Sequence, residues 1–574
     1  MAVTTTTTVT PEEVSETCPN AAKPKRRSKY PNHRENKTIN IKTNSLFQLK
    51  LKIPRIHLIV HFNQRTLNSS HRQLSKAKKD HPCQAKMILK ELPKLPIPDW
   101  ETQDNPGLVA ATVPRNLYSY FMLTLLNESL WGDEAFSAIA VQKPFVDMLA
   151  VVIRDTAPPL FYLVGFIWVR LFGPSEIALR LLSLLLMLGA AIFTGLTVYH
   201  LSKTKLLALS SLILAFFSPF LIPFAFEWRM YALLTFTVMG SIYFFVRRKW
   251  KSYILFATAG LYTHHFALFT LAGQEIAYAI FEVNWRRILK SKGNLINNLL
   301  RTFWPFLVII GLYSFWLYPM YIQITRVKGA GFWLQAPSLS QVINLLWRFA
   351  TGGVRESLRL VTAGLAISLL ITKDWLKAGR RWLELVIIVS SPVIMSAIVS
   401  HLFTPIFYDR YLLSVVMGII ILLVAGTRKI FWPLVAVLAG LYLTQSYQAF
   451  INPQKRPFRD LAAFVKQEIK PGDYLVNYNG QAHHLWESKY YGLNAPLYTA
   501  GKTLPLYVGT ALMETGDTIS QLPSNVSRLG VITSEPMENV ILPQPWQLQE
   551  VKDFHSLRLI WYSFSNQRRT TISE

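Results

Sequence analysis

Long apolar stretches recur through the middle of this 574-residue chain, and they limit what it can fold into. The segments 177–201, 411–426 and 430–447 are close to the length of about 17 to 25 residues with which a helix crosses a bilayer. About twelve apolar segments can be distinguished between residues 117 and 450, of which the first two are short. With 51% hydrophobic residues overall, this pattern predicts an all-α polytopic membrane bundle of about 11–13 transmembrane helices rather than a soluble protein.

The formal net charge of +27 has two interpretations, nucleic-acid binding or a membrane-topology signal. The basic residues lie mainly in the N-terminal region and in short connectors between apolar segments, which is what positive-inside topology requires. No nucleic-acid-binding motif accompanies the charge, so we expect no nucleic acid as a partner. The two cysteines, Cys18 and Cys83, both lie in the N-terminal region and support neither a disulfide framework nor a cysteine metal site.

Composition divides the chain into three predicted regions. Residues 1–110 are expected to form a disordered cytoplasmic tail, because residues 1–107 carry 19 Lys and Arg against 9 Asp and Glu without a sustained apolar run. Residues 111–450 form the membrane domain. Residues 451–574 form a small extracytoplasmic α/β domain, since the segment 457–480 indicates an amphipathic helix, a Pro-Gly-Asp turn and a strand.

The basic connectors predict the orientation of the bundle. We place the short basic connectors in the cytoplasm, namely 247–251, 284–292, 373–381 and 427–429. The loop 324–357 and everything after residue 450 then lie outside. A literal count of crossings puts the stretch 131–157 in the cytoplasm, whereas it lies outside if the segment that opens with Pro158 and Pro159 runs along the interface or re-enters.

Acidic residues cluster in the stretch 131–157. Asp133 and Glu134 form a turn after a short apolar run, and acids at a membrane boundary are functional candidates unless they are solvated or paired. A solvated helix end explains this pair equally well. Asp155 adds a further acid, which could orient an acceptor or bind a cation, or which simply belongs to a helix N-terminal cap. A divalent cation is therefore possible, and no other cofactor is indicated.

Basic and aromatic residues follow at the same predicted level. Arg229, with Tyr231, and Arg410 could bind a phosphate through the planar guanidinium fork, or could anchor helices at the interface. His264 and His265 are adjacent, so their side chains point to different faces, and at most one of them serves such a site. Together with the acids, these residues describe one outward-facing cavity, suited to a reaction between a lipid phosphate and an acceptor from outside.

Five stretches, in this order and spacing, resemble the polytopic GT-C glycosyltransferases. They are "WGDEAFS", "DTAPPLFYLVGFIWVRLFGPSEIALRLLS", "EWRMYAL", "LYTHHFALF" and "DRYLL". The chain is most similar to bacterial relatives of the dolichyl-phosphate-mannose protein mannosyltransferases and the lipid A aminoarabinose transferases, a glycosyltransferase family 39-like group. The resemblance covers about residues 115–500.

The resemblance implies a polyprenyl-phosphate sugar as donor, a lipid, glycan or protein as acceptor, and inversion of the anomeric carbon on the extracytoplasmic face of the cell membrane. By position, Asp133 is the general base and Glu134 the second acid of its pair, with Asp155 next in line. The leaving phosphate needs cationic stabilisation, for which Arg229 and Arg410 are candidates. The remaining candidates for binding the donor phosphate are His264 and Tyr231.

Two other functions fit a polytopic chain. A secondary transporter or lipid flippase also carries polar residues at depth, but it usually has a repeated half and acids near the midplane, and neither is visible here. A noncatalytic assembly subunit could keep the bundle, although the presence of both Asp133 and Glu134 argues against it.

Overall fold

The structure is a computed structural model of the chain. It describes residues 125–564, apart from 291–293, 331–333, 374, 452–454, 479–482, 502–503, 505–508 and 544–545. The predicted tail 1–110 and most of the first apolar segment therefore lie outside the described residues.

Between Gly132 and Ile451 the described chain consists mainly of helices joined by short connections. The first seven are α1 Gly132–Gln142, α2 Phe145–Arg154, α3 Leu160–Phe172, α4 Glu176–Ser202, α5 Lys205–Phe216, α6 Ile222–Ala225 and α7 Tyr231–Val246. The next ten are α8 Trp250–Thr263, α9 Ala267–Phe281, α10 Trp285–Lys290, α11 Leu295–Tyr313, α12 Leu317–Ala330, α13 Leu339–Ala350, α14 Glu356–Ile371, α15 Trp375–Leu402, α16 Leu413–Val424 and α17 Trp432–Ile451.

Several of these helices are apolar enough to lie in a membrane. Within the described part of the chain, four stretches are long and apolar enough to cross one: Glu176–Ser202, Leu295–Lys328, Gly379–Leu402 and Lys429–Gln448. Five further apolar helices have 10–17 residues, namely α3, α5, α7, α9 and α16. The chain is thus a multi-pass membrane protein built as a helical bundle, as the apolar pattern predicts.

The longest intact spanning helix shows how local sequence sets its limits. α4 begins after Ser175, whose hydroxyl accepts a hydrogen bond from the Ala178 amide at 3.3 Å, as a helix N-cap does. It ends at Lys203, which takes a left-handed conformation with φ of 54°. At about 1.5 Å per residue, its 27 residues reach about 40 Å, enough to cross a bilayer with its headgroups.

Two stretches expected to be loops are helical. The stretch 131–157 contains α1 and α2, so Asp133 and Glu134 belong to the first turn of a helix and not to an open turn. The expected loop 324–357 contains α13, which begins with a capping box of Ser338 and Gln341. These three helices, α1, α2 and α13, are short, so hydropathy alone gave no signal of a membrane span.

The C-terminal part folds into one mixed sheet with two helices. The helices are α18 Phe458–Glu468 and α19 His484–Tyr490, and the strands are β1 Asp473–Asn477, β2 Leu497–Tyr498, β3 Thr518–Ile519, β4 Arg528–Thr533, β5 Trp546–Phe554 and β6 Leu557–Phe564. The strand order is β3-β2-β1-β4-β6-β5; the pairs β3-β2, β2-β1 and β1-β4 are parallel, and β6 is antiparallel to both β4 and β5. The predicted helix, turn and strand over 457–480 are confirmed as α18, the turn at Gly472 with φ of 89°, and β1.

Helix α19 joins this sheet domain to the bundle. Its Trp486 packs edge-on against Phe136 of α1, with ring centroids 5.6 Å apart. The Leu130 amide, just before α1, donates to the Tyr491 hydroxyl at 2.8 Å. The start of α1 is therefore covered by the C-terminal domain, and the acidic pair lies at this junction.

Candidate active site

Glu134 holds the start of α1 in place. Its carboxylate is fully buried and forms an ion pair with Arg180 of α4 at 2.8 Å and another with Lys455 at 3.0 Å. It also accepts hydrogen bonds from the amides of Trp228 at 2.8 Å and Trp131 at 3.3 Å. Burial alone would raise the pKa of Glu134, but the charges of Arg180 and Lys455 and these hydrogen bonds lower it to about 2. Glu134 is thus held as an anion and links the start of α1 to α4, to Trp228 and to Lys455.

Asp133, one residue earlier, faces a different environment. Its side chain is 24% exposed, and three groups lie around its carboxylate without reaching hydrogen-bond distance. They are Arg410 at 3.7 Å, Arg229 at 3.9 Å and the Nδ1 atom of His483 at 3.9 Å. The carboxylate is therefore accessible and lies beside two guanidinium groups, an arrangement in which the arginines can also meet another anion.

Arg229 is fixed by the start of α1. Its guanidinium donates to the Ser137 hydroxyl at 2.7 Å and to the Asp133 carbonyl at 3.3 Å. Its Nε atom is buried without a hydrogen-bond partner among the residues that the structure describes. Such an unpartnered donor is costly, which is typical of a functional position.

Arg410 is held by aromatic rings. Its guanidinium carbon lies 4.8 Å from the ring centroid of Tyr408, 5.5 Å from that of Trp131 and 5.7 Å from that of Tyr231. Tyr231 also lies 6.0 Å from the guanidinium carbon of Arg229. These cation–π contacts orient both arginines while leaving hydrogen-bond donors available for an oxyanion.

A cavity of about 550 Å³ adjoins this cluster. Its wall includes Trp131, Phe226, Glu227, Arg410, Lys455 and Arg456, and also Glu128. Burial raises the pKa of Glu128, and it raises the pKa of Glu227 to about 7 although Arg410 and Lys455 oppose the change. Three basic side chains line the cavity beside these two acids, and burial disfavours the charged form of both acids, so the wall carries an excess of positive charge that suits an anion.

The other predicted site residues, Asp155, His264 and His265, contact different neighbours. Asp155 follows α2 and accepts a hydrogen bond from the Tyr162 hydroxyl at 3.2 Å; its pKa is raised by burial, against the charge of Arg229. His264 stacks on Tyr411 with centroids 4.6 Å apart, one ring removed from the arginines. His265 turns away towards Gln323 at 3.2 Å, so the two histidines do face different elements.

Three residues of this cluster were missed in the sequence. Lys455 and His483 belong to the C-terminal part of the chain, and only the folded chain brings them to α1. Arg180 carried a signal, because it is a charge inside the apolar segment 177–201, and such a residue needs a buried partner.

Gly132 explains how closely the two domains meet. A Cβ atom at this position would lie 2.6 Å from the Cβ atom of His483, closer than two carbon atoms can approach. The glycine of the "WGDE" sequence thus lets the residue before α19 reach the Asp133 carboxylate.

Metal binding is the remaining possibility raised by the acids. Among the residues that the structure describes, no group of three or more His, Cys, Asp and Glu side chains is arranged to hold a metal ion. A divalent cation therefore stays a possibility raised by the sequence, and the acids that raise it are Asp133 and Asp155.

The chain is a multi-pass helical membrane protein with a polar cluster at the end of the bundle that meets the sheet domain. The fold is that of ArnT from Cupriavidus metallidurans, a lipid A aminoarabinose transferase of the GT-C group. Its apo structure is 14% identical to this chain, covers 78% of it and 97% of its own length, and superposes with a TM-score of 0.53.

A second ArnT structure from this organism, bound to undecaprenyl phosphate, is likewise 14% identical and has a TM-score of 0.50. The match covers 79% of this chain and 99% of the other. No protein-family model matches the sequence, and no curated protein matches it significantly. The resemblance to GT-C enzymes drawn from the sequence motifs is therefore confirmed for the fold.

Proposed function

We propose that this protein is a membrane glycosyltransferase that moves a sugar from a polyprenyl-phosphate donor to an extracytoplasmic lipid, glycan or protein acceptor. The observation that carries the proposal is the Asp133 carboxylate, accessible and flanked by Arg229 and Arg410 next to an electropositive cavity. The ArnT fold adds support, because one structure with that fold holds undecaprenyl phosphate.

The phosphate of the donor fits the arginine side of the cluster. A guanidinium fork binds a pair of phosphate oxygens, and Arg229 and Arg410 present two such forks on either side of one carboxylate. Lys455 and Arg456 extend the positive charge along the cavity wall. Tyr231 orients the arginines, and His264 supports them through Tyr411.

The reaction is a direct displacement at the anomeric carbon. The acceptor oxygen forms a bond to that carbon while the bond from the carbon to the phosphate oxygen breaks, which inverts the configuration. Asp133 takes the proton of the acceptor hydroxyl, and the electron pair of the broken bond stays on the polyprenyl phosphate, where the arginines stabilise the new charge. Glu134 takes no part in proton transfer in this scheme, because its ion pairs hold it as an anion away from the cavity.

The test is transfer of radiolabelled sugar by the purified full-length protein, using a panel of polyprenyl-phosphate sugars and a membrane extract as the source of acceptor. Asp133→Asn keeps the size of the side chain but removes the base. We expect transfer to fall at least about 100-fold, with binding of the polyprenyl phosphate preserved because the arginines remain. The matched control is Asp147→Asn, which removes an exposed acid of α2.

Each result has a definite meaning. Full transfer by Asp133→Asn would exclude Asp133 as the base and move the role to Asp155. Absence of transfer by the parent with every donor, together with movement of a polyprenyl phosphate or solute across vesicle membranes, would replace the enzyme by a transporter or flippase.

A further inference from the structure

A second polar cavity lies at the other end of the bundle. α4 connects the two ends: Glu176 at its start accepts a hydrogen bond from Arg459 of the sheet domain at 3.0 Å, and His200 near its end lines this second cavity. The helix places the two about 36 Å apart, at about 1.5 Å for each of the residues between them. The second cavity, of about 780 Å³, therefore lies across the membrane from Asp133.

Cationic side chains from three connectors converge on this cavity. Lys203 follows α4, Arg381 lies in α15, and Arg428 and Lys429 follow α16. No Asp or Glu lines the cavity, and none of these four residues has a carboxylate partner among the described residues, which leave out Asp374. Four like charges around one space repel each other, and an anion in the space would relieve that repulsion.

Two neighbouring bases at the same end, Arg248 and Arg380, are paired with acids. Arg248 pairs with Glu282 at 2.9 Å and with Glu384 at 3.2 Å, and Arg380 pairs with Glu282 at 2.7 Å. Arg380 and Arg381 are adjacent in the chain, yet only the first meets a carboxylate among the described residues. The convergence of four bases on one cavity, with no Asp or Glu in its described lining, favours an anion there.

The backbone around the cavity is fixed in shape. Lys203 and Gly426 both have positive φ, 54° and 82°, which turns the chain sharply after α4 and α16. The buried amine of Lys373 donates to the carbonyl of Leu423 at 3.0 Å and to that of Ala425, and so holds the end of α16. The bases are presented from folded turns and from helix α15, and not from a free chain, which lowers the entropy cost of binding.

We propose that this cavity binds the phosphate headgroup of an anionic glycerophospholipid in the cytoplasmic leaflet. The distribution of Lys and Arg assigns this end to the cytoplasm, where basic pockets between transmembrane helices meet anionic headgroups. Trp382 and Leu201 border the bases and are partly exposed, so the wall offers apolar surface for the start of an acyl chain beside charge for the phosphate. This site is independent of the glycosyl-transfer site.

The experiment measures binding of phosphatidylglycerol and of cardiolipin to the full-length protein in neutral detergent, by native mass spectrometry, with phosphatidylcholine as the neutral reference. We expect the double variant Arg381→Gln/Arg428→Gln to weaken binding of the anionic lipids about 30-fold, since each base near a lipid surface contributes about 1 kcal/mol, or about fivefold. Binding of phosphatidylcholine stays unchanged.

Two further double variants serve as controls for this measurement. Lys251→Gln/Arg286→Gln removes the same charge from exposed positions outside the cavity and leaves anionic-lipid binding as in the parent. Arg381→Lys/Arg428→Lys keeps the charge and retains binding, which separates loss of the site from loss of the fold. Equal weakening by the two glutamine pairs would overturn the proposal in favour of a nonspecific charge effect.

Free phosphate is the other source of the same chemistry. Inorganic phosphate and pyrophosphate are titrated in the absence of lipid, with a shift in the thermal unfolding midpoint as readout. No shift at millimolar concentration supports a lipid headgroup. A saturable shift that vanishes in Arg381→Gln/Arg428→Gln would assign the cavity to a soluble phosphate and reject the lipid.

Discussion

Glu134 and Arg180 form an ion pair at 2.8 Å in which neither side chain has any exposed surface, and this pair fixes the position of the neighbouring Asp133. Arg180 also donates to the carbonyls of Glu128 and Ser129, at 2.5 and 2.9 Å, in the segment that leads into α1. Two adjacent acids thus have different tasks. One anchors the helix start to α4, and the other is left accessible at the cavity.

This division predicts that Glu134→Gln damages the fold more than the chemistry. Removing the charge leaves Arg180 and Lys455 buried without their anion, which costs about 3 to 5 kcal/mol when a buried pair is broken. We expect a clearly lower thermal unfolding midpoint in detergent, followed by tryptophan fluorescence, and activity lost in proportion to the folded fraction.

The matched control for that loss is Glu356→Gln. Glu356 pairs with Arg359 at 2.9 Å, but its side chain is 86% exposed, so the pair contributes less than about 1 kcal/mol. Its variant should unfold close to the parent. A stable Glu134→Gln protein without transfer activity would instead make Glu134 a participant in the reaction.

Arg410 is predicted to act on the donor phosphate. Arg410→Gln removes a guanidinium that the rings of Tyr408 and Trp131 orient, and loss of one preorganised donor to a developing oxyanion typically costs 100- to 1000-fold. We expect kcat/KM for the polyprenyl-phosphate sugar to fall by about this factor, with weaker competition by free polyprenyl phosphate.

Arg348→Gln is the control for Arg410. Arg348 lies 3.6 Å from Asp409, the residue beside Arg410, but it is 43% exposed and contacts none of the cluster around Asp133. Its loss should change kcat/KM by less than about threefold. Equal effects of the two variants would mean that general charge, and not the guanidinium at Asp133, matters for the donor.

Sequence patterns predicted most of the apolar helices of the bundle but only part of the candidate site. The apolar segments gave α4, α7 and α16 because a spanning helix must be hydrophobic along its whole length. The helices α1 and α2 were not found, since short helices of mixed polarity have no such requirement.

Contacts between distant parts of the chain could not be predicted from the sequence. Lys455 is 321 positions from Glu134, and no local pattern encodes that ion pair. The sequence motifs did predict that Asp133, Arg229 and Arg410 belong to one site, and both guanidinium groups lie within 3.9 Å of the Asp133 carboxylate.

His483 connects the sheet domain to the residues around Asp133. Its Nδ1 atom lies 3.9 Å from the Asp133 carboxylate, and burial lowers its pKa, so the ring is mainly neutral at pH 7. A neutral ring positions Asp133 sterically and does not act as its counter-ion. We expect His483→Asn to lower kcat about tenfold, the cost of a modest misplacement, while KM for the donor is unchanged.

The control for His483 is His555→Asn, in the exposed turn between β5 and β6. His555 has φ of 61°, a conformation that asparagine tolerates, so the variant should keep both stability and activity. A rise in KM instead of a fall in kcat for His483→Asn would place His483 in donor binding.

Glu487 should make the docking of α19 depend on pH. The carboxyl group is buried against α1, and burial raises its pKa from 4.5 to about 8, although Arg456 and the Gly132 amide oppose this. Below pH 4.5 the folded and unfolded states both hold the proton. Between pH 4.5 and 8 the unfolded state releases it and the folded state keeps it, so stability falls as pH rises, by about 1.4 kcal/mol for each pH unit.

Glu487→Gln removes this term, because the amide resembles the protonated acid and cannot ionise. Its unfolding midpoint, measured from pH 5 to pH 8.5, should therefore gain on that of the parent as pH rises, whereas Glu538→Gln, at an exposed position, should run parallel to the parent. Because other groups titrate equally in both proteins, the difference between the two curves isolates Glu487. Parallel curves for Glu487→Gln and the parent would mean that the acid is ionised in the folded protein and that Arg456 neutralises it.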